Sequence, residues 1–236
     1  KLAQEYSALT IVDGVAATAG ERMLQEEWGV DVYLTASQKA IGVPPGLALL
    51  VASPRAMDVF HARQTPVSNY YADFTNWLPI MQAYQARKPS YFGTPPVNTL
   101  LALEVSLAQI LAEGMPARFE RHARLGAAFR AAMGALGLDL VPVRADIAAD
   151  TLSAVYYPEG VDASLLGEIN KRGVILAGGL HPEIKTKYFR VGHMGSVDQS
   201  DLLGTIGAIE AGLQTVGYKF DPGAGLTAAQ SALLAE

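Results

Sequence analysis

Apolar positions in the first half of the chain fall into short runs separated by helical patterns. The runs Ala8 to Asp13, Val30 to Thr35 and Leu47 to Ala52 read as strands. The first and third are almost continuously apolar, the pattern of strands covered on both faces. Ser53-Pro54 supplies a hydroxyl N-cap and a proline at the first helical position, which predicts a helix over 55–63. Gln64 to Asn76 is polar and aromatic and reads as a loop before a helix over 77–87. After Pro95-Pro96 the apolar-periodic segment Val97 to Ala112 predicts a buried helix, which Gly114-Met115-Pro116 interrupts. Residues 117–136 carry apolar side chains at helical spacing among Ala and Arg, a long amphipathic helix closed by Gly134 and Gly137.

Beyond Gly137 the pattern changes. Strand-like segments at 138–141, 151–157, 174–176 and 188–191 alternate with helices over 161–171 and 198–216, a smaller α+β unit with its own core. After Phe220, loop chemistry at Asp221-Pro222-Gly223 leads into a short Ala/Leu segment. The first half is α/β with a mostly parallel sheet and helices on both faces, and a boundary near Gly114 divides residues 1–114 from 115–236.

Composition narrows the function classes. With 236 residues, 50% hydrophobic and 17% charged, and a mean hydropathy of +0.18, the chain can bury a sizeable core. Its 18 Lys plus Arg against 23 Asp plus Glu give a net charge of -5, which offers nothing to nucleic acid or an anionic membrane. The stripe Arg118, Arg121, Arg124 and Arg130 reads as a solvated helix face. The absence of cysteine removes disulfides, thiolate zinc sites and cysteine nucleophiles together. No HExxH, P-loop or GxGxxG is present, so neither metal nor nucleotide has motif support, and His181 and His193 read as structural. No apolar run approaches the about 18 to 20 residues of a membrane span, and Lys1 to Tyr6 has no secretory h-region. A soluble, cytoplasmic protein is the expectation.

Candidate chemistry concentrates between Asp13 and Gly46. Asp13 closes an apolar strand and places a carboxylate at the C-terminal edge of a sheet, where open α/β folds bind ligands; a helix N-cap is the alternative. Thr35-Ala36-Ser37-Gln38-Lys39 ends a second strand with a lysine, followed by the apolar turn Ile41-Gly42-Val43-Pro44-Pro45-Gly46. A lysine in apolar surroundings suits a Schiff-base role, because desolvation favours the neutral, nucleophilic amine. A carboxylate on a neighbouring strand suits the ring nitrogen of pyridoxal phosphate (PLP).

Together with Trp28-Gly29-Val30-Asp31-Val32 between them, these residues resemble the class V aminotransferases of PLP fold type I, and within them the alanine-glyoxylate (serine-pyruvate) group. Val12-Asp13-Gly14-Val15 resembles the strand whose Asp partners the pyridinium, with Val15 against one face of the ring. Ser37-Gln38-Lys39 with Pro44-Pro45-Gly46 resembles the Schiff-base motif, with Gln38 on the cofactor phosphate. Tyr91-Phe92-Gly93-Thr94-Pro95-Pro96 resembles the segment whose Tyr91 and Thr94 reach the phosphate of a neighbouring subunit. Tyr188-Phe189-Arg190-Val191-Gly192-His193 resembles the small-domain motif whose Arg190 binds the substrate carboxylate, a role to which the planar guanidinium is suited.

The resemblance implies the C-terminal part of a PLP-binding large domain over 1–114 and a whole small domain over 115–236. It implies transfer of an amino group from alanine or serine to glyoxylate or another small 2-oxo acid, in a homodimer with shared active sites. Cysteine desulfurases share the architecture and need a cysteine that this chain lacks. Phosphoserine and ureidoglycine-glyoxylate aminotransferases stay open. A non-catalytic ligand-binding remnant is opposed by Lys39, Asp13 and Arg190 occurring together. No Gly/Ser-rich helix N-terminus able to cradle a phosphate precedes Asp13, so the first part of the large domain is expected to lie on a segment upstream.

Overall fold

The computed structural model describes residues 2–235; Lys1 and Glu236 lie outside the described residues. A short helix α1 (Leu2–Glu5) precedes the strands β1 (Ile11–Asp13), β2 (Val32–Ala36) and β3 (Ala48–Ala52), which form one sheet in the order β1-β2-β3. β1 and β2 run parallel, with Asp13 opposite Leu34. β3 is antiparallel to β2, the exception among these three strands in a half expected to be mostly parallel. The cause is chain length: residues 37–47 form turns rather than a helix, and a parallel return needs a crossover of about a dozen residues or more.

At the sheet edge opposite the C-terminal ends of β1 and β2, Asp31 fixes the strand positions. Its buried carboxylate accepts from Thr10 N–H (2.8 Å), Arg55 Nη1 (2.8 Å) and Ser53 Oγ (3.3 Å). The Thr10 amide, with Arg55, holds this carboxyl below the usual carboxylate range against the opposing effect of burial.

Helix α2 (Pro54–His61) starts as its sequence dictates, with Ser53 Oγ accepting from Ala56 N–H. α3 (Phe74–Gln85) begins three residues before Trp77, because Asp73 caps it through Thr75 N–H. α4 (Val97–Glu113) and α5 (Met115–Ala135) meet at Gly114 with an 87° bend. Met115 and Pro116 are therefore the first turn of α5 rather than part of the break.

The second sheet, of β4 (Leu152–Tyr156), β5 (Ala177–Gly178) and β6 (Tyr188–Gly192), has the order β4-β6-β5 and is antiparallel throughout. The strand expected at 138–141 reduces to a single bridge between Leu140 and Val155, and that at 174–176 lies further on, at Ala177–Gly178. α6 (Ser164–Asn170), α7 (Gln199–Thr215) and α8 (Ala224–Leu234) complete this half, where α5 packs on α7, α8 and β4. Its core is fully buried at Phe129, Met133, Phe189, Ile206 and Ile209. Each such side chain contributes about 1.5–3 kcal/mol of apolar burial.

The first half is far less covered. α4, expected to be buried, has one buried residue, Ile110, while Leu101, Val105 and Leu111 are exposed. β1 and β3, expected to be covered on both faces, expose Ile11, Leu50 and Val51.

Candidate active site

Parallel pairing brings the C-terminal ends of β1 and β2 to one sheet edge, and with them two candidate residues. Asp13 ends β1; Lys39 follows the end of β2 by three residues. Asp13 Oδ1 accepts from Val15 N–H at 2.9 Å, which curls the chain away from the strand and leaves the carboxylate exposed. The next residue, Gly14, lies against the Tyr33 ring. A Cβ on Gly14 would lie 2.0 Å from the hydroxyl of Tyr33, whose oxygen accepts from Thr18 Oγ1 at 2.9 Å.

Lys39 and Gln38 are exposed at this edge, and Val15 is half-buried. The desolvated lysine expected from the apolar residues after it is not found. Ile41 and Val43 are buried, while Lys39 itself is exposed. Ser37 is fully buried, donating to Pro44 O (2.7 Å) and accepting from Leu47 N–H (3.3 Å), so the turn before Lys39 is closed on itself.

Arg190 lies on the middle strand of the other sheet, opposite Ala154 and Ala177. Its Nε donates to Gly178 O at 2.8 Å, and the two Nη nitrogens have no acceptor among the described residues. The segment just after Arg190 reaches the Lys39 turn. A Cβ on Gly195 would sit 3.5 Å from Ala40 O and 3.7 Å from Lys39 O, and the φ of +85° at Gly195 suits glycine. Tyr91 and Thr94 stand elsewhere, on the loop before α4, exposed and joined to each other by a 2.8 Å hydroxyl contact. Tyr70, Tyr71 and Trp77 pack around Phe92 on the same side of the chain.

The solvated arginine face is a correction. Arg118 is 4% exposed and Arg121 and Arg130 are half-buried; Arg124 alone is exposed. Glu113 accepts from Arg118 Nη1 (2.6 Å) and Arg121 Nε (2.6 Å), and the Arg121 hydrogen bond, with Arg118, draws its pKa down to about 2. His122 is fully buried beside them and its pKa is lowered, first by desolvation. Glu113, Arg118, Arg121 and Ser106, which donates to Ile41 O, line a cavity of about 240 Å³ beside the turn that follows Lys39. Arg118 and His122 were legible in one respect: they fall at helical spacing with Leu125 and Phe129, in the stripe that faces the core.

A carboxylate, an amine, an amide and an aliphatic side chain thus share one open edge, with a guanidinium on the adjoining sheet. That donor set fits a group bearing a carbonyl carbon, a ring nitrogen and a phosphate. Among the described residues no three His, Cys, Asp or Glu side chains gather into a metal site.

Comparison with known proteins gives a family. The family described as Aminotransferase class-V matches residues 1–194. An alanine–glyoxylate aminotransferase 1 from Saccharomyces cerevisiae is 39% identical over 190 residues, covering 78% of this chain and 49% of its own length. An L-aspartate–glyoxylate aminotransferase from Paracoccus denitrificans is 36% identical, covering 97% of this chain and 56% of its own length. The crystal structure of ureidoglycine-glyoxylate aminotransferase from Bacillus subtilis superposes with a TM-score of 0.87 at 27% identity, over 98% of this chain and 59% of the other. The chain therefore spans about half to three-fifths of the length of these relatives.

Proposed function

The chain belongs to the class-V aminotransferase family, and from that premise we propose that the protein moves an amino group from a small amino acid, alanine or serine, to glyoxylate or another small 2-oxo acid. Glyoxylate is the partner named for all three relatives, while their donors differ. The observation that carries the reading is the parallel β1–β2 pairing, which sets Asp13 and Lys39 at one edge with the segment following Arg190 packed on the Lys39 backbone.

Pyridoxal phosphate is the family's cofactor. Lys39 would hold it covalently, Asp13 would face its ring nitrogen, Val15 one ring face and Gln38 its phosphate. Tyr91 and Thr94, exposed and bonded to one another, would serve the phosphate of a neighbouring subunit in a homodimer. When bound, the cofactor supplies an electron sink for the charge left at the substrate Cα. Arg190 binds the substrate carboxylate through its unpartnered Nη pair, a bidentate contact that fixes the orientation of Cα. The amine of Lys39 would move the proton at the substrate Cα, as base and then as acid. Asp13 would accept a hydrogen bond from the protonated ring nitrogen. Residues 1–114 would form part of the cofactor-binding domain and 115–236 the small domain, in a cytoplasmic enzyme.

The test uses the full-length protein with bound cofactor. We expect a visible absorbance band that Lys39→Ala abolishes. Arg190→Gln should raise KM for the amino donor by about a hundredfold, the scale of a lost bidentate charged contact. A screen of alanine, serine and aspartate against glyoxylate and pyruvate fixes the donor and acceptor. A parent protein with no visible band after incubation with pyridoxal phosphate overturns the reading.

A further inference from the structure

The three segments that carry Asp13, Lys39 and Arg190 are distant in sequence and are joined at one place, the first turns of α5. Arg118 donates from Nε to Ala19 O and from Nη2 to Ala40 O, both at 2.6 Å. One planar guanidinium thereby holds the turns that follow Asp13 and Lys39. Four residues on, His122 Nε2 accepts from Gly195 N–H at 2.9 Å, while its Nδ1 lies 2.7 Å from Arg118 O. A carbonyl can only accept, so the ring proton is on Nδ1 and the lone pair on Nε2, which fixes both the tautomer and the ring plane. Arg121 adds donations to Gly195 O (2.9 Å) and Val197 O (2.8 Å), and Glu113 neutralises part of the buried positive charge.

We propose that the Arg118 to His122 turn is a positioning device that sets the distance and orientation between Lys39 and Arg190. The proposal rests on the roles given to those two residues above. Arg118 and His122 act through backbone: the carbonyl of Ala40 adjoins Lys39, and the amide of Gly195 ends the segment that leads out of β6 from Arg190. Both are bonded to the same turn of one helix, so the lysine and the arginine move as one unit. Arginine is required at 118 because its fork reaches two carbonyls and Glu113 at once, which a lysine cannot do. Histidine at 122 supplies a buried acceptor and a buried donor on opposite sides of one rigid ring.

The two halves of the device predict opposite kinetic signatures in the full-length, cofactor-loaded protein. His122→Phe keeps the ring volume and loses both nitrogens; it should raise KM for the amino donor tenfold or more with kcat within about threefold. Arg118→Lys should lower kcat tenfold or more with KM little changed. His122→Gln, which retains an acceptor oxygen, should recover most of the affinity. A readout independent of the cofactor is amide hydrogen exchange in the apoprotein: the Gly195 amide should exchange at least tenfold faster in His122→Phe and near the parent rate in His122→Gln. Should His122→Phe fail to fold, His122→Leu, which also lacks both ring nitrogens, takes its place beside Arg118→Lys and His122→Gln. Parent-like KM and kcat in folded Arg118→Lys and His122→Phe, or an equal loss of both constants in every variant with Gly195 exchange unchanged, would overturn the proposal. A visible band that survives Lys39→Ala would instead count against the assigned role of Lys39, leaving the exchange result to stand by itself.

Discussion

His193 lies fully buried beside Phe129, its Nε2 3.0 Å from Ser153 Oγ and its Nδ1 without a hydrogen-bond partner. Burial draws its pKa from 6.5 down to about 4. As pH falls the unfolded chain takes up this proton first, so the stability that neutral His193 contributes is complete above about pH 6.5 and is lost towards pH 4. At about 1.4 kcal/mol per unit the loss reaches roughly 3 kcal/mol. His122, lowered by burial in the same direction, adds to it. Glu113 has the sign of a depressed acid: its contribution is present above its ordinary 4.5 and is lost as pH falls towards about 2. The urea midpoint should therefore drop between pH 7 and pH 5, where the unfolded chain protonates this histidine and the folded one does not. His193→Asn should flatten that part of the profile, and an equally steep drop in the variant would remove His193 from the explanation.

Among the elements, α8 shows what local pattern conveys and what it does not. The starts of α2 and α7 were legible because their caps are local: Ser53-Pro54 in the first, and in the second Asp198, whose carboxylate accepts from Ser200 and Asp201 N–H. At the start of α8 the capping group comes from another helix. Glu210 of α7 accepts from Gly223 N–H (2.8 Å) and Leu226 N–H (3.1 Å), so the chain around Asp221-Pro222-Gly223 reads as a loop when taken alone. The same division runs through the candidate site. Asp13 and Lys39 were legible as residue types at strand ends, whereas Arg118 looked solvated, since the carbonyls it binds lie 99 and 78 residues away. The turn at 41–46 was legible too, and with it the connection too short for a parallel return that makes β3 antiparallel. Glu210→Ala leaves two amides at a helix N-terminus without their carboxylate and should cost about 1–3 kcal/mol, read as a lower urea midpoint. Glu210→Gln, which keeps an acceptor oxygen, should cost less; equal costs for the two would mean that the packing of α8 on α5 and α7, and not this cap, holds the helix.

Over the whole molecule the two halves differ in how their apolar surface is used. The second half closes a core around Phe129, Phe189 and Ile209, while the first half leaves Ile11 63%, Val51 58% and Leu111 72% exposed. A sheet of three short strands with open apolar faces is held mainly by its ladder, by Asp31 and by the contacts of Arg118, and such a structure opens locally at low free energy. Expressed alone, the 236-residue chain should bind the apolar dye ANS strongly and self-associate. Its amide exchange should divide accordingly, with Val155, Phe189 and Ile209 protected to near the global stability and Val12, Tyr33 and Leu50 exchanging much faster. Asp13 and Lys39 stand on the weaker sheet, so this chain alone should also bind pyridoxal phosphate weakly, measured by absorbance titration. Uniform protection across both sheets together with absent dye binding would show that the first half closes its own apolar faces in solution; tight cofactor binding by the isolated chain would show that the open edge needs no further support.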